Sequence, residues 1–203
     1  DYAMAAPVMA GVMEKEDPQI LVLGMGTGTF ASQCEKYFPD VSIEGVEIDQ
    51  KITDLAHEYF ELSDNVPVTT YDGRAYLQAV DKKYDVIMVD AYQDITIPFQ
   101  MSSVEFFTMV KEHLTDDGIM VVNMNMHTDE EGNINDYLSD TIAAVFPDVY
   151  TADVKNTTNR ELFAGNGQDP SVKLKEGMDG ISDARLKSMM REISRDLIRY
   201  ERG

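Results

Sequence analysis

This 203-residue sequence has no tryptophan, one cysteine, three histidines and a shortage of positive charge. The lone thiol, Cys34, can form no internal disulfide, so the chain suits a reducing compartment such as the cytoplasm. It falls within an expected helix and reads as a packed or idle thiol rather than a nucleophile. His57, His113 and His127 are scattered at no metal-binding spacing, and no metal is expected. Against 37 Asp and Glu stand 17 Lys and Arg, a net charge of −20. That balance argues against a nucleic-acid partner, because phosphate binding needs a basic surface. It keeps the chain soluble and would also steer small cations toward it. No apolar run reaches the ~18 residues of a membrane span, and no signal-peptide pattern opens the chain. The sequence starts at Asp1 rather than Met, which leaves room for a membrane domain or another N-terminal domain in a longer parent chain.

What is present reads as one α/β domain with a full core, 43% of its residues being apolar. Short β-branched runs alternate with amphipathic helical stretches, the pattern of βαβ units. Ile20–Leu23, Val41–Glu47, Val66–Tyr71, Tyr84–Val89, Ile119–Met124, Val149–Val154 and Glu161–Ala164 are the expected strands. Between them the pattern predicts helices over Thr29–Tyr37, Gln50–Leu62 capped by Asp49, Arg74–Val80 and Asp136–Phe146. Ser102 and Glu105 have capping-box spacing ahead of Phe106, Phe107 and Val110, so Ser102 is the expected start of another helix. A polar stretch, 168–180, reads as a linker to a last helix over Asp183–Tyr200. Arg191, Arg195 and Arg199 would form a solvated stripe there, paired with Glu192 and Asp196. The expected fold is a doubly wound, Rossmann-like, mostly parallel sheet of seven strands, of the class I methyltransferase type. Residues 1–167 would be the nucleoside-binding catalytic domain, with 168–203 packed on it or extending from it.

Chemistry concentrates where strands end. Ile20-Leu-Val-Leu-Gly-Met-Gly-Thr-Gly28 runs a buried strand into a glycine turn at a helix start. Gly24, Gly26 and Gly28 let a ligand approach the backbone, and amides at the helix start face it. The spacing departs from the dinucleotide fingerprint at Thr29, and no P-loop ending follows. Glu47 closes the second strand in Val46-Glu-Ile-Asp49, where a carboxylate can accept both ribose hydroxyls. Asp72-Gly73 follows the third strand, where an acid can accept from an adenine amino group. Asp90 ends the fourth, at the mouth of a central strand where reacting groups meet. Plainer readings stand beside these: Glu47 as a solvated strand end, Asp72 as a helix cap, Asp90 as turn chemistry.

From Tyr2 to about Met124 the sequence resembles the spermidine synthases, or aminopropyltransferases. The matching pieces are Leu21-Val-Leu-Gly24, Val46-Glu-Ile-Asp49, Asp72-Gly73 and Tyr84-Asp-Val-Ile-Met-Val-Asp90, then Phe106-Phe107 and Leu114-Thr-Asp-Asp-Gly118. The resemblance implies an adenosyl donor, decarboxylated S-adenosylmethionine, and a diamine acceptor such as putrescine. By it Glu47 would hold the ribose and Asp72 the adenine, while Asp90 would take up and deprotonate the amine. Tyr2 would assist that step. Thr27 stands where the family has an acid that pairs with the donor's propylamine. After Asp90, where the family reads Asp-Ser-x-Asp-Pro, this chain has Ala91-Tyr-Gln-Asp94, so Tyr92, Gln93 and Asp94 are its acceptor-side candidates.

The acid missing at position 27 leaves methyl transfer from intact S-adenosylmethionine as the second reading. A non-catalytic nucleoside-binding domain of a larger, membrane-fused protein is the third, and an NAD-dependent dehydrogenase a distant fourth. A homodimer is left open.

Overall fold

The computed structural model describes residues 2–90, 97–124 and 134–202. A 3-10 turn over Tyr2–Met4 runs into α1 (Ala5–Met9), and every residue of both is buried. The run is apolar on all sides, so it has no face to give to water. Then come β1 (Gln19–Leu23), α2 (Thr29–Tyr37), β2 (Ser42–Glu47), α3 (Gln50–Tyr59), β3 (Val68–Thr70), α4 (Gly73–Ala79) and β4 (Tyr84–Val89). They are followed by α5 (Val104–Glu112), β5 (Leu114–Met124), α6 (Ile134–Ala143), β6 (Asp148–Asp153) and β7 (Arg160–Gly165). The chain closes with α7 (Pro170–Gly177), α8 (Ala184–Asp196) and β8 (Ile198–Arg199).

The strands lie in the order β3-β2-β1-β4-β5-β7-β6-β8. The first five in that order run parallel, and β7 is antiparallel to both its neighbours. The sheet is therefore doubly wound, with its switch point between β1 and β4. Crossovers diverge there to opposite sides and leave a crevice beyond the carboxyl ends of the strands. Strand side chains alternate between two cores. Val22, Met88, Val121 and Phe163 face α1, α2, α7 and α8, while Leu23, Val89, Val122 and Leu162 face α4, α5 and α6.

Several expectations need correction. The sheet has eight strands rather than seven, because the last helix stops at Asp196 and Leu197 turns extended. Tertiary bonds pull the chain off the helix: Tyr200 N donates to Val149 O at 2.9 Å, and Tyr200 Oη donates to Asp140 Oδ1 at 2.8 Å. Arg199 therefore leaves the helix and donates to Asp148 Oδ1 at 2.8 Å. Glu192 and Asp196 pair with Lys155 instead of the arginine stripe. At α5 the cap is Ser103, whose Oγ accepts from Phe106 N at 3.2 Å, whereas Ser102 Oγ donates back to Phe99 O. A 3-10 turn over Phe99–Met101 ends at Ser102 and shifts the helix start by one residue.

The stretch 168–180, read as a linker, holds α7. Asp169 caps it, its Oδ1 accepting from Ser171 N and Val172 N, with Pro170 in the first turn. Leu174 is fully buried, and a Cβ on Gly177 would lie 2.7 Å from Val8 Cγ1, so this helix is in van der Waals contact with α1. Leu174→Ala should consequently cost about 2–5 kcal/mol in urea denaturation, the range for a core leucine. A loss within about 0.5 kcal/mol, as at an ordinary surface position, would restore the linker reading.

Candidate active site

A cavity of about 510 Å³ opens at the switch point. The glycine turn after β1 forms one wall. Gly24 and Gly26 have φ of +88° and +54°. Gly28 has φ of +77°, and a Cβ there would come within 2.7 Å of Leu62 Cδ1, so only glycine fits. Gly24 and Gly26 line the cavity, but Thr27 is exposed with its hydroxyl 3.0 Å from that of Thr29, and neither Thr27 nor Gly28 lines the cavity.

Glu47, at the end of β2, is only 7% exposed. Its Oε2 accepts from Gly26 N at 3.0 Å and its Oε1 from Asp49 N at 3.2 Å. Each carboxylate oxygen can accept twice, so both keep capacity for a ligand hydroxyl. Asp49 in turn caps α3, accepting from Lys51 N at 2.9 Å. Asp72 caps α4 through Ala75 N at 2.9 Å and still lines the cavity beside Gly73. Its helix-cap role and its place in the site coexist.

Asp90 follows β4, its amide donating to Leu23 O at 2.9 Å. Burial pushes its carboxyl up to about 6; a hydrogen bond from Asn123 works against that rise and the charge of Glu47 adds to it. Asn123 Nδ2 donates to Asp90 Oδ1 at 3.0 Å and lines the cavity. Asn123 went unnoticed in the sequence, although an amide inside the apolar run Val121-Val-Asn-Met124 is itself a signal. Ile48, Ile52 and Tyr71 were also missed; they give the cavity an apolar wall on the side of Glu47 and Asp72. Ile48 is 71% exposed, so most of its side chain is open to solvent.

Tyr2 is not brought to the cavity. Its hydroxyl donates to Asp196 Oδ2 at 2.8 Å and lies 3.4 Å from Glu192 Oε1, both on α8. Burial, then the Asp196 and Glu192 carboxylates, push its pKa well up, so it stays a phenol. Tyr92, Gln93 and Asp94 lie outside the described residues. Among the described residues no group of three His, Cys, Asp or Glu could hold a metal ion, and no helix is long and apolar enough to cross a membrane.

Comparison with known proteins bears on this site. A probable polyamine aminopropyl transferase of Bifidobacterium longum is 63% identical over 174 residues, covering 83% of this chain and 38% of that protein. A polyamine aminopropyltransferase of Vibrio vulnificus is 31% identical over 161 residues, covering 76% of this chain and 52% of its own. The chain thus spans about half or less of these relatives. Among solved structures, human methyltransferase-like protein 13 in complex with SAH superposes with a TM-score of 0.73 at 24% identity, covering 100% of this chain and 91% of that one. A spermidine synthase in complex with the transition-state analogue AdoDATO gives 0.69 at 18% identity, covering 90% and 64%. At such identities these two structures share the fold. The model of the spermine/spermidine synthase domain matches residues 5–161, a span that holds the glycine turn, Glu47, Asp72 and Asp90, and the chain belongs to that family.

Proposed function

We propose that this chain transfers an aminopropyl group from decarboxylated S-adenosylmethionine to a small cationic amine such as putrescine. The observation that carries the reading is the gathering of Glu47, Asp72 and Asp90 around one cavity in a member of this family. Two structures that share this fold are complexes with SAH and AdoDATO, and an adenosyl group suits this cavity's residues. The free acceptor capacity of Glu47 takes the ribose hydroxyls. Asp72 accepts from the adenine amino group, and Ile48, Ile52 and Tyr71 cover the ring.

Asp90 then meets the acceptor. An alkylammonium has a pKa of about 10 and no lone pair, so it must lose a proton before it attacks. A carboxylate raised toward 6 is a stronger base than an ordinary one and sits at the strand mouth. The proton passes to Asp90, and the nitrogen lone pair forms a bond to the propyl carbon attached to sulfur. The carbon–sulfur bond breaks, its electrons return to the sulfonium, and neutral methylthioadenosine leaves. Alignment of amine and sulfonium supplies much of the rate, since the electrophile is already activated. The cytoplasm, which keeps a lone thiol such as Cys34 reduced, is the proposed setting.

Thr27 favours a second reading, methyl transfer from intact S-adenosylmethionine. A hydroxyl does not repel the donor carboxylate as the family's acid would. Titration of both donors into the same protein decides: a preference for the decarboxylated donor supports aminopropyl transfer, and a preference for the intact donor, with methylated amine as product, overturns it.

Glu47→Ala should weaken methylthioadenosine binding by about 1.5–3 kcal/mol, tenfold or more, in calorimetry; unchanged affinity removes Glu47 from the site. Asp90→Asn should cut turnover by about 10²-fold or more while donor affinity holds, and survival of turnover within a few-fold would move the base elsewhere. The same variant tests the protonation of Asp90. Its folded pKa lies above the unfolded value, so its ionised form weakens the fold, and this cost is fully present only above pH 6. Asp90→Asn should therefore be more stable than wild type by about 2–3 kcal/mol at pH 8. The gap should shrink as pH falls toward 4, and a gap independent of pH would contradict the raised value.

A further inference from the structure

The reaction outlined above leaves one buried acid unused. Sheet register sets it in line with the site, beside the cavity-lining Asn123: β4 pairs Val89 with Val122, and β5 pairs Asn123 with Glu161 of β7. One residue beyond Val89, Asp90 completes a row of Asp90, Asn123 and Glu161 across the sheet. The three share a face, since Met88, Val121 and Phe163, each two residues away, belong to one core cluster. Asn123 stands between the acids and donates to Asp90 at 3.0 Å.

Glu161 is 6% exposed, and its buried Oε2 has no hydrogen-bond partner. Its other strand neighbour is Ala152 of β6, whose side chain offers neither charge nor hydrogen bond. Among the described residues neither Asp90 nor Glu161 is held by Lys or Arg. Burial and the charge of Asp90 push the Glu161 carboxyl up to about 8, and the positive charge of the N-terminal amine works against that rise. Two buried acids that flank Asn123 on one sheet face, the charge of Asp90 raising Glu161 and that of Glu47 raising Asp90, form a place where a cation is favoured. An amine acceptor brings that charge.

We propose that Glu161 is a positioning residue of the acceptor site, a second acid beside Asp90 that selects a cationic amine and holds its ammonium toward the Asp90 carboxylate. The proposal rests on the reading of Asp90 as the acceptor-side acid. It adds to the three acids already assigned one that lies on the antiparallel side of the sheet.

The test is calorimetry of 1,3-diaminopropane, putrescine and cadaverine against the full chain saturated with methylthioadenosine, at a pH above the Glu161 value. Wild type, Glu161→Gln and Glu161→Asp are compared. Glu161→Gln keeps the shape and removes the charge, so affinity for the best-bound diamine should fall about tenfold or more. Glu161→Asp should recover part of it. Methylthioadenosine affinity should stay within about twofold and the thermal midpoint should not drop, because the charge lost was a burden to the fold. A structural role would instead lower the midpoint and weaken nucleoside and amine together, and that result overturns the proposal. Equal amine affinity in wild type and Glu161→Gln also overturns it, as does a wild type that binds none of the three amines. If amine binding depends on Glu161 while no aminopropyl transfer is seen, the positioning role stands and the transfer reading alone fails.

Discussion

The carboxylate of Glu47 holds the site together before any ligand arrives. One oxygen accepts from Gly26 in the turn after β1, the other from Asp49 at the start of α3. Its backbone carbonyl accepts from Tyr71 N at 3.0 Å, one residue ahead of Asp72. Three loops leaving three adjacent strands thus converge on one residue. An amide hydrogen bond to an ionised carboxylate is worth about 1.5–3 kcal/mol, more than a neutral one. The loop geometry that would receive an adenosyl group is therefore set by the same side chain that would bind it.

Most of the sheet was legible because its signals are local. Ile20–Leu23, Val86–Val89 and Ile119–Val122 are unbroken apolar runs, as a sheet covered on both faces requires, and Asp90 marks the end of the second. Asp49, a short polar residue at a strand-to-helix junction, was readable as a cap for the same reason. What escaped depends on partners far away in sequence. Residues 2–9 carry neither a helical stripe nor a strand alternation, because they are buried on all sides. In Pro170-Ser-Val-Lys-Leu-Lys-Glu-Gly177 only Pro170 and Leu174 are buried, so the helix looked like a polar connection. The family resemblance pointed to Tyr2 but could not show that Asp196 takes its hydroxyl. Ser102 and Ser103 are chemically equivalent as caps, and the preceding 3-10 turn decides between them. Glu161 looked like an ordinary strand residue until register placed it in line with Asp90.

The site is acid-rich within an acidic chain. Glu47 and Asp90 border the cavity and Glu161 lies behind Asn123, each nearly buried, where screening by salt is weak. Their repulsion puts the site under electrostatic tension and favours cationic occupants. A net charge of −20 extends the same preference outward, since a negative field concentrates cations near the surface. Hydrogen bonds from backbone amides to Glu47 and from Asn123 to Asp90 offset part of that tension.

The buried N-terminal stretch has a consequence for how the molecule is assembled. Val8 lies against Gly177 of α7, and Tyr2 bonds Asp196, 194 residues away. During synthesis, residues 2–12 emerge long before the strands and helices that enclose them. Met4, Val8, Met9 and Val12 must wait in water, or in the grip of a chaperone, until α7 and α8 are out. Contacts of such long range are slow to form. Completion of this half of the core is thereby deferred until α7 and α8 have been made, and any truncation that removes them would leave residues 2–12 as a sticky apolar segment.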